Sequence, residues 1–237
     1  MNADDTPPVT AADVTLAVDL AADTLNGALD QDWHVPAGTI EWDCWETVEH
    51  VADDLFAYAG QLAPRKPPQD SHVPFAWRRQ REGGPRSTVF ADPDGGNAGL
   101  VQVLEACGTF LSSVVTTSSP DTRAHHIMGL ADPEGFAAMG VVEVLVHMHD
   151  VASGLGFAWK PPEDLCDRVL HRLFPDAPTD TARWKTMLWA TGRGEIEGRE
   201  PIVGRWRWFA APHIGEGARA RRRSTPATEP RPLRAPR

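Results

Sequence analysis

Cysteine is scarce in this chain of 237 residues: only Cys44, Cys107 and Cys166 occur, far apart and without a CxxC pair. A disulfide framework and a cysteine-built zinc site are therefore excluded, and reduced, mostly buried thiols are expected. No uninterrupted apolar run approaches the roughly 18 residues of a membrane span. The N-terminal MNADDTPPVT is acidic where a secretory leader would be basic and then apolar. The expectation is a cytoplasmic protein with no membrane partner. Positive charge is in deficit as well: 23 Lys and Arg face 33 Asp and Glu, a net charge of -10, which argues against nucleic acid as a partner. GxSxG, a Walker loop, GxGxxG and HExxH are all missing, so serine hydrolysis, nucleotide-phosphate binding and zincin proteolysis have no local signature. Nor is there a repeat at solenoid periods.

What remains is a composition that is 41% hydrophobic, ample for one full core. Four segments carry apolar residues at helical spacing between start and stop signals. The first runs from Thr10, a plausible N-cap, to about Gln31, with Val14, Val18, Ala21, Leu25 and Leu29 in one stripe. The second starts at Asp43, with Glu46 in the capping-box position, and is stopped by Pro64. The third spans about Gly96 to Thr117. The fourth begins at Pro133 after Asp132 and ends near Gly154 to Gly156. Four long amphipathic segments predict an all-α core built as a helical bundle.

The second and third helices are joined by a long connection, residues 63–95, rich in Pro, Arg and Gly but carrying Phe75 and Trp77. Loops of that length are usually functional or disordered, and its apolar residues predict a lid across the bundle. Beyond Pro161 and Pro162 two shorter helices are expected, at about Glu163 to Phe174 and Thr181 to Ala190. Residues 205–209 then alternate Arg, Trp, Arg, Trp, Phe, the period of a strand or extended segment. The organisation expected is a bundle over 1–158, a small, mainly helical extension over 159–214, and a tail over 215–237. That tail holds seven arginines against Glu216 and Glu229, and too few apolar residues to order itself.

The strongest anomaly lies in VVEVLVHMHD. Glu143 and His147 are four apart, hence on one helical face, and are embedded among Val141, Val142, Val144, Leu145 and Val146. A glutamate there is costly unless paired, protonated or bound to a metal. His50, on the second helix, is the candidate third member, and the three together would form an open N,O,N set for a divalent metal. Two readings stand at this point: such a metal site, or a Glu–His pair hydrogen-bonded inside the core. Asp150, three residues after His147, suits a partner that fixes the imidazole tautomer, whereas His149 points about 200° away around the helix. His125 and His126 precede the fourth helix, and His126 is a candidate acid or base at the mouth of the site. In the long connection Arg78 and Arg79 are candidates for binding an anionic substrate or thiol. Of the cysteines, only Cys44 sits at a helix start.

On Trp45-Glu46-Thr47-Val48-Glu49-His50 and on Glu143-Val144-Leu145-Val146-His147 with Asp150, the chain resembles the DinB-like superfamily of metal-binding four-helix bundles. Within it, the resemblance is to the mycothiol-dependent maleylpyruvate isomerase-like group of actinobacterial proteins. It covers roughly residues 10–158, and HHIMGLADPEGFAAMG and MLWATGRGEIEG are similar to phrases of relatives in that group. The resemblance implies a DinB-like bundle in which His50, Glu143 and His147 bind a divalent metal, usually zinc, with water completing the shell. It implies thiol chemistry: the metal lowers the pKa of a low-molecular-weight thiol such as mycothiol, whose thiolate adds to a small electrophile. The isomerase proper carries a larger second domain, so the implied activity is taken broadly, as thiol transfer or isomerisation. The partners implied are that thiol and that electrophile, and a homodimer is the assembly to test for. The rival expectation is a non-catalytic metal-binding or interaction protein.

Overall fold

A computed structural model of the chain describes residues 6–202 and 206–212. Among these residues there are six α-helices, one 3-10 turn at Pro93–Gly95 and no β-strand. The helices are α1 (Ala11–Asn26), α2 (Cys44–Leu62), α3 (Gly96–Thr117), α4 (Pro133–Leu155), α5 (Glu163–Leu173) and α6 (Arg183–Ala190).

The helix starts follow their caps. Asp43 accepts the Glu46 N–H at 2.7 Å while Glu46 accepts the Asp43 N–H, and Asp132 accepts the Gly135 N–H at 2.8 Å with Pro133 in the first turn. Helix α1 stops earlier than the apolar stripe predicts, at Asn26 instead of Gln31. Gly27 favours helix poorly, and Trp33 Nε1 draws off the Ala28 carbonyl at 3.0 Å, so the chain turns there while Ala28 stays in the core.

Helices α1 and α2 each pack against both α3 and α4, and α5 joins α4 to α6. Helix α4 is the centre: from Gly135 to Asp150 every residue except His149 is buried. One hydrophobic core runs from Val9 to Ala210, so the segment after Pro161 shares the core of the four long helices. Among the described residues of the alternating Trp and Arg segment, 206–209, there is neither helix nor strand; Phe209 N–H bonds the Leu173 carbonyl at the end of α5. The tail, 215–237, and Arg205 lie outside the described residues.

Counted with their small and hydroxyl residues, two helical stretches, Pro93–Thr117 and Pro133–Leu155, are long and apolar enough to cross a membrane. In the second, 94% of the apolar window is buried inside the protein, as in a core helix, against 33% in the first.

Close approach to α4 depends on glycine. A Cβ at Gly154 would lie 2.4 Å from the Pro36 carbonyl oxygen and 2.6 Å from Cys44 Sγ, whereas one at Gly99 in α3 would meet nothing within 4 Å. Gly154→Ala should therefore lose about 1–3 kcal/mol despite the better helix propensity of alanine. Gly99→Ala should gain about 0.5–1 kcal/mol. Urea melts of the two variants check both signs.

Candidate metal centre

Packing of α2 on α4 brings His50 against the one polar turn of an apolar helix. One ligand atom from each of His50, Glu143 and His147 lies within 4.8 Å of the other two. The His50 and His147 rings meet edge to face with centroids 5.2 Å apart, and His147 Nε2 is 3.3 Å from Glu143 Oε2. Two imidazoles and a carboxylate form a donor set for a divalent transition metal. The His50 Nδ1 atom is buried with no partner among the described residues, so no structural hydrogen bond explains that nitrogen. The cluster can hold a metal ion.

Electrostatics favour the same use. Burial, with the charge of His147, pushes the His50 imidazole down to about 4, leaving it neutral as a ligand must be. Burial alone would raise Glu143, but the hydrogen bond and charge of His147, with His50 and Arg193, bring it below its ordinary value. Burial opposes charge on His147 too, and is outweighed by its hydrogen bonds to Asp150 and Glu143. Both directions favour pairing of the two side chains inside the core. His50, Glu143 and His147 are the residues that would hold a divalent ion here.

Behind His147 lies a second layer. Asp150 Oδ2 is 3.1 Å from His147 Nδ1, and Arg193 grips the same carboxylate through Nε at 2.9 Å and Nη2 at 2.6 Å. With Nδ1 donating to Asp150, Nε2 is the nitrogen directed at Glu143. On the other side Tyr58 donates to Glu143 Oε1 at 3.4 Å, and Asp54 Oδ2 is 3.3 Å from His50 Nε2. Burial, then the charge of Glu143, pushes the Asp54 carboxyl well above its usual range.

The centre forms the floor of a cavity of about 480 Å³. His125 and His126 both line it. His126 stacks on Trp208 with centroids 5.6 Å apart, its Nδ1 accepts the Met128 N–H at 3.2 Å, and burial takes its pKa to about 4. Trp77 from the long connection also lines the cavity, but Arg78 and Arg79 do not. Arg78 lies over the Phe90 ring at 4.8 Å, and Arg79 donates to the Gly84 carbonyl. Both are exposed, and their guanidiniums are engaged within the connection itself.

That connection is pinned to α2. Gln61 bonds the Pro68 and Ser71 carbonyls and the Val73 N–H; buried Asp53 accepts the Thr88 and Val89 N–H groups at 2.7 Å each; and Glu49 accepts the Ala91 N–H at 2.9 Å. Glu49 is thus a loop anchor turned away from the centre. His149 packs edge-on to Trp184, as its direction on the helix predicts. All three cysteines are buried; burial raises Cys44 to about 11 and Cys107 and Cys166 to about 12, so none is a ready nucleophile at neutral pH.

Sequence reading missed Asp54 and Tyr58, although they stand four and eight residues after His50 and hence near its face of α2. It also gave no role to Trp42, whose ring sits 4.6 Å from that of His50, or to Arg193. Comparison with known proteins finds no match to this chain among protein families, curated proteins or solved structures.

Replacing an outer partner of a metal ligand typically costs 10–100-fold in affinity. Asp150→Asn and Arg193→Met should each weaken zinc binding by roughly that factor without abolishing it. Competition titration with a chromogenic chelator measures both.

Proposed function

We propose that the chain is a divalent-metal-dependent enzyme of the DinB-like four-helix bundle type. In this reading it activates a low-molecular-weight thiol of the mycothiol kind, for transfer to, or isomerisation of, a small electrophile. The observation that carries the reading is the convergence of His50 on α2 with Glu143 and His147 on α4 at the floor of a cavity. The motif resemblance and the pairwise packing of four long helices support the same assignment.

The ion, proposed to be zinc, supplies Lewis acidity that lowers the pKa of a coordinating thiol when bound at His50, Glu143 and His147. The chain's own part is positioning and exclusion. Asp150, clamped by Arg193, fixes the tautomer and orientation of His147. Tyr58 holds Glu143, and aromatic walls keep water from the floor. For transfer, a carbon–sulfur bond forms and the thiol proton ends on the adduct. For isomerisation, addition turns a conjugated double bond into a single bond, rotation follows, and elimination returns the thiol. Neither route needs a protein thiol, in keeping with three cysteines that are buried and hard to ionise.

Zinc-loaded protein supplied with mycothiol and a panel of electrophiles should consume free thiol, read with a thiol-specific dye. Chelator and His50→Ala should each reduce that consumption to the uncatalysed rate. Bound metal with no turnover on any electrophile would instead favour a non-catalytic metal protein.

A further inference from the structure

The cavity above the centre has an unusual wall. Trp77 comes from the long connection, Trp42 from the turn before α2, Phe136 from α4, and Trp206 and Trp208 from the extended segment near the end of the described chain. Trp206 and Trp208 lie 4.7 Å apart, centroid to centroid, with His126 stacked on the outer ring face of the pair at an interplanar angle of 21°. Four indoles from three separate segments are thereby gathered around one space.

Charge is distributed just as unevenly. No lysine or arginine lines the cavity among the described residues. Arg193 is clamped to Asp150 and lies over the Trp206 ring at 5.7 Å, and Arg78 and Arg79 are engaged within the connection. His126, stacked on Trp208, is held neutral at pH 7 by burial, and at the floor Glu143 is paired with His147. Along those walls an anionic ligand would exchange its water for aromatic faces, with no lysine or arginine among the lining residues to compensate its desolvation. A flat, uncharged π-system would stack, as ring pairs do at centroid separations of roughly 4.5–7 Å. The volume, about 480 Å³, falls in the ordinary range for small-molecule sites, roughly 300–1,000 Å³.

We infer that the walls of this cavity bind a neutral, planar aromatic or conjugated molecule, and that they offer a small anion no partner of their own. The identification of that molecule as the electrophile of thiol transfer rests on the function proposed above; the binding preference rests on the wall alone.

A matched pair of probes, 1-naphthamide and 1-naphthoate, differs in charge at nearly constant shape. Calorimetric titration of the full chain with chelator present, so that no metal can ligate the carboxylate, should show the amide binding at least tenfold more tightly than the carboxylate. Trp77→Ala should weaken amide binding by roughly tenfold, as loss of one stacking face does. Trp208→Ala should do the same, and Trp77, on the connection, gives a readout even if Trp208 proves necessary for folding. Equal or tighter binding of naphthoate overturns the inference, as does the absence of saturable binding by either probe or amide binding indifferent to both tryptophans. Amide binding by protein that takes up no zinc sustains the cavity preference while the thiol-transfer function falls. Zinc uptake without amide binding does the reverse.

Discussion

A carboxylate in the middle of an apolar helix has to be compensated, and Glu143 is the residue around which this protein is arranged. Helix α4 runs through the core with almost no exposed surface, so Glu143 cannot turn to water. Its partners come from three directions: His147 on its own helix, and Tyr58 and His50 from α2. His147 in turn needs Asp150, and Asp150 needs Arg193 from the segment after α6. A chain of buried polar groups thus links α2 and α4 to the C-terminal extension. Removing one member of such a pair leaves an uncompensated charge, at a cost of about 3–5 kcal/mol. A bound divalent ion offers the fuller compensation, because it satisfies two imidazoles and a carboxylate together.

Helix α2 serves two sides at once. Its inward face presents His50, Asp54 and Tyr58 to the centre, and another face offers Glu49 and Asp53 to the backbone of the long connection. Those two buried acids replace the ladder that a loop of this length lacks, by capturing three of its N–H groups near residues 88–91. Gln61 does the same near residues 68–73. Trp77 lies between these two anchored stretches, which is how an element with little secondary structure still supplies a wall to the cavity.

The helices were legible in the sequence because their signals are local. Asp43 with Glu46, Asp132 with Pro133, and the apolar spacing mark starts and faces without reference to anything distant. The Glu143–His147 turn was legible for the same reason, as a polar interruption in an apolar run. Where His50 sits was not, since only packing of α2 on α4 puts it opposite, and that contact spans about a hundred residues of sequence; the motif resemblance stood in for it. Arg193 stands 43 residues beyond Asp150, and the tryptophans come from three separate segments, so packing and not local pattern places them too. Arg78 and Arg79, for which charge and loop position suggested an anion site, lie outside the cavity lining, with Phe90 and the Gly84 carbonyl as their local partners.

The most direct measurement is the metal content of untagged full-length protein by elemental analysis, beside His147→Ala. About one equivalent of zinc or another divalent ion in the native chain, lost in the variant, is the expected result. A native chain that holds no metal even after reconstitution would contradict it, and would leave Glu143 and His147 as a buried ion pair with no enzymatic role.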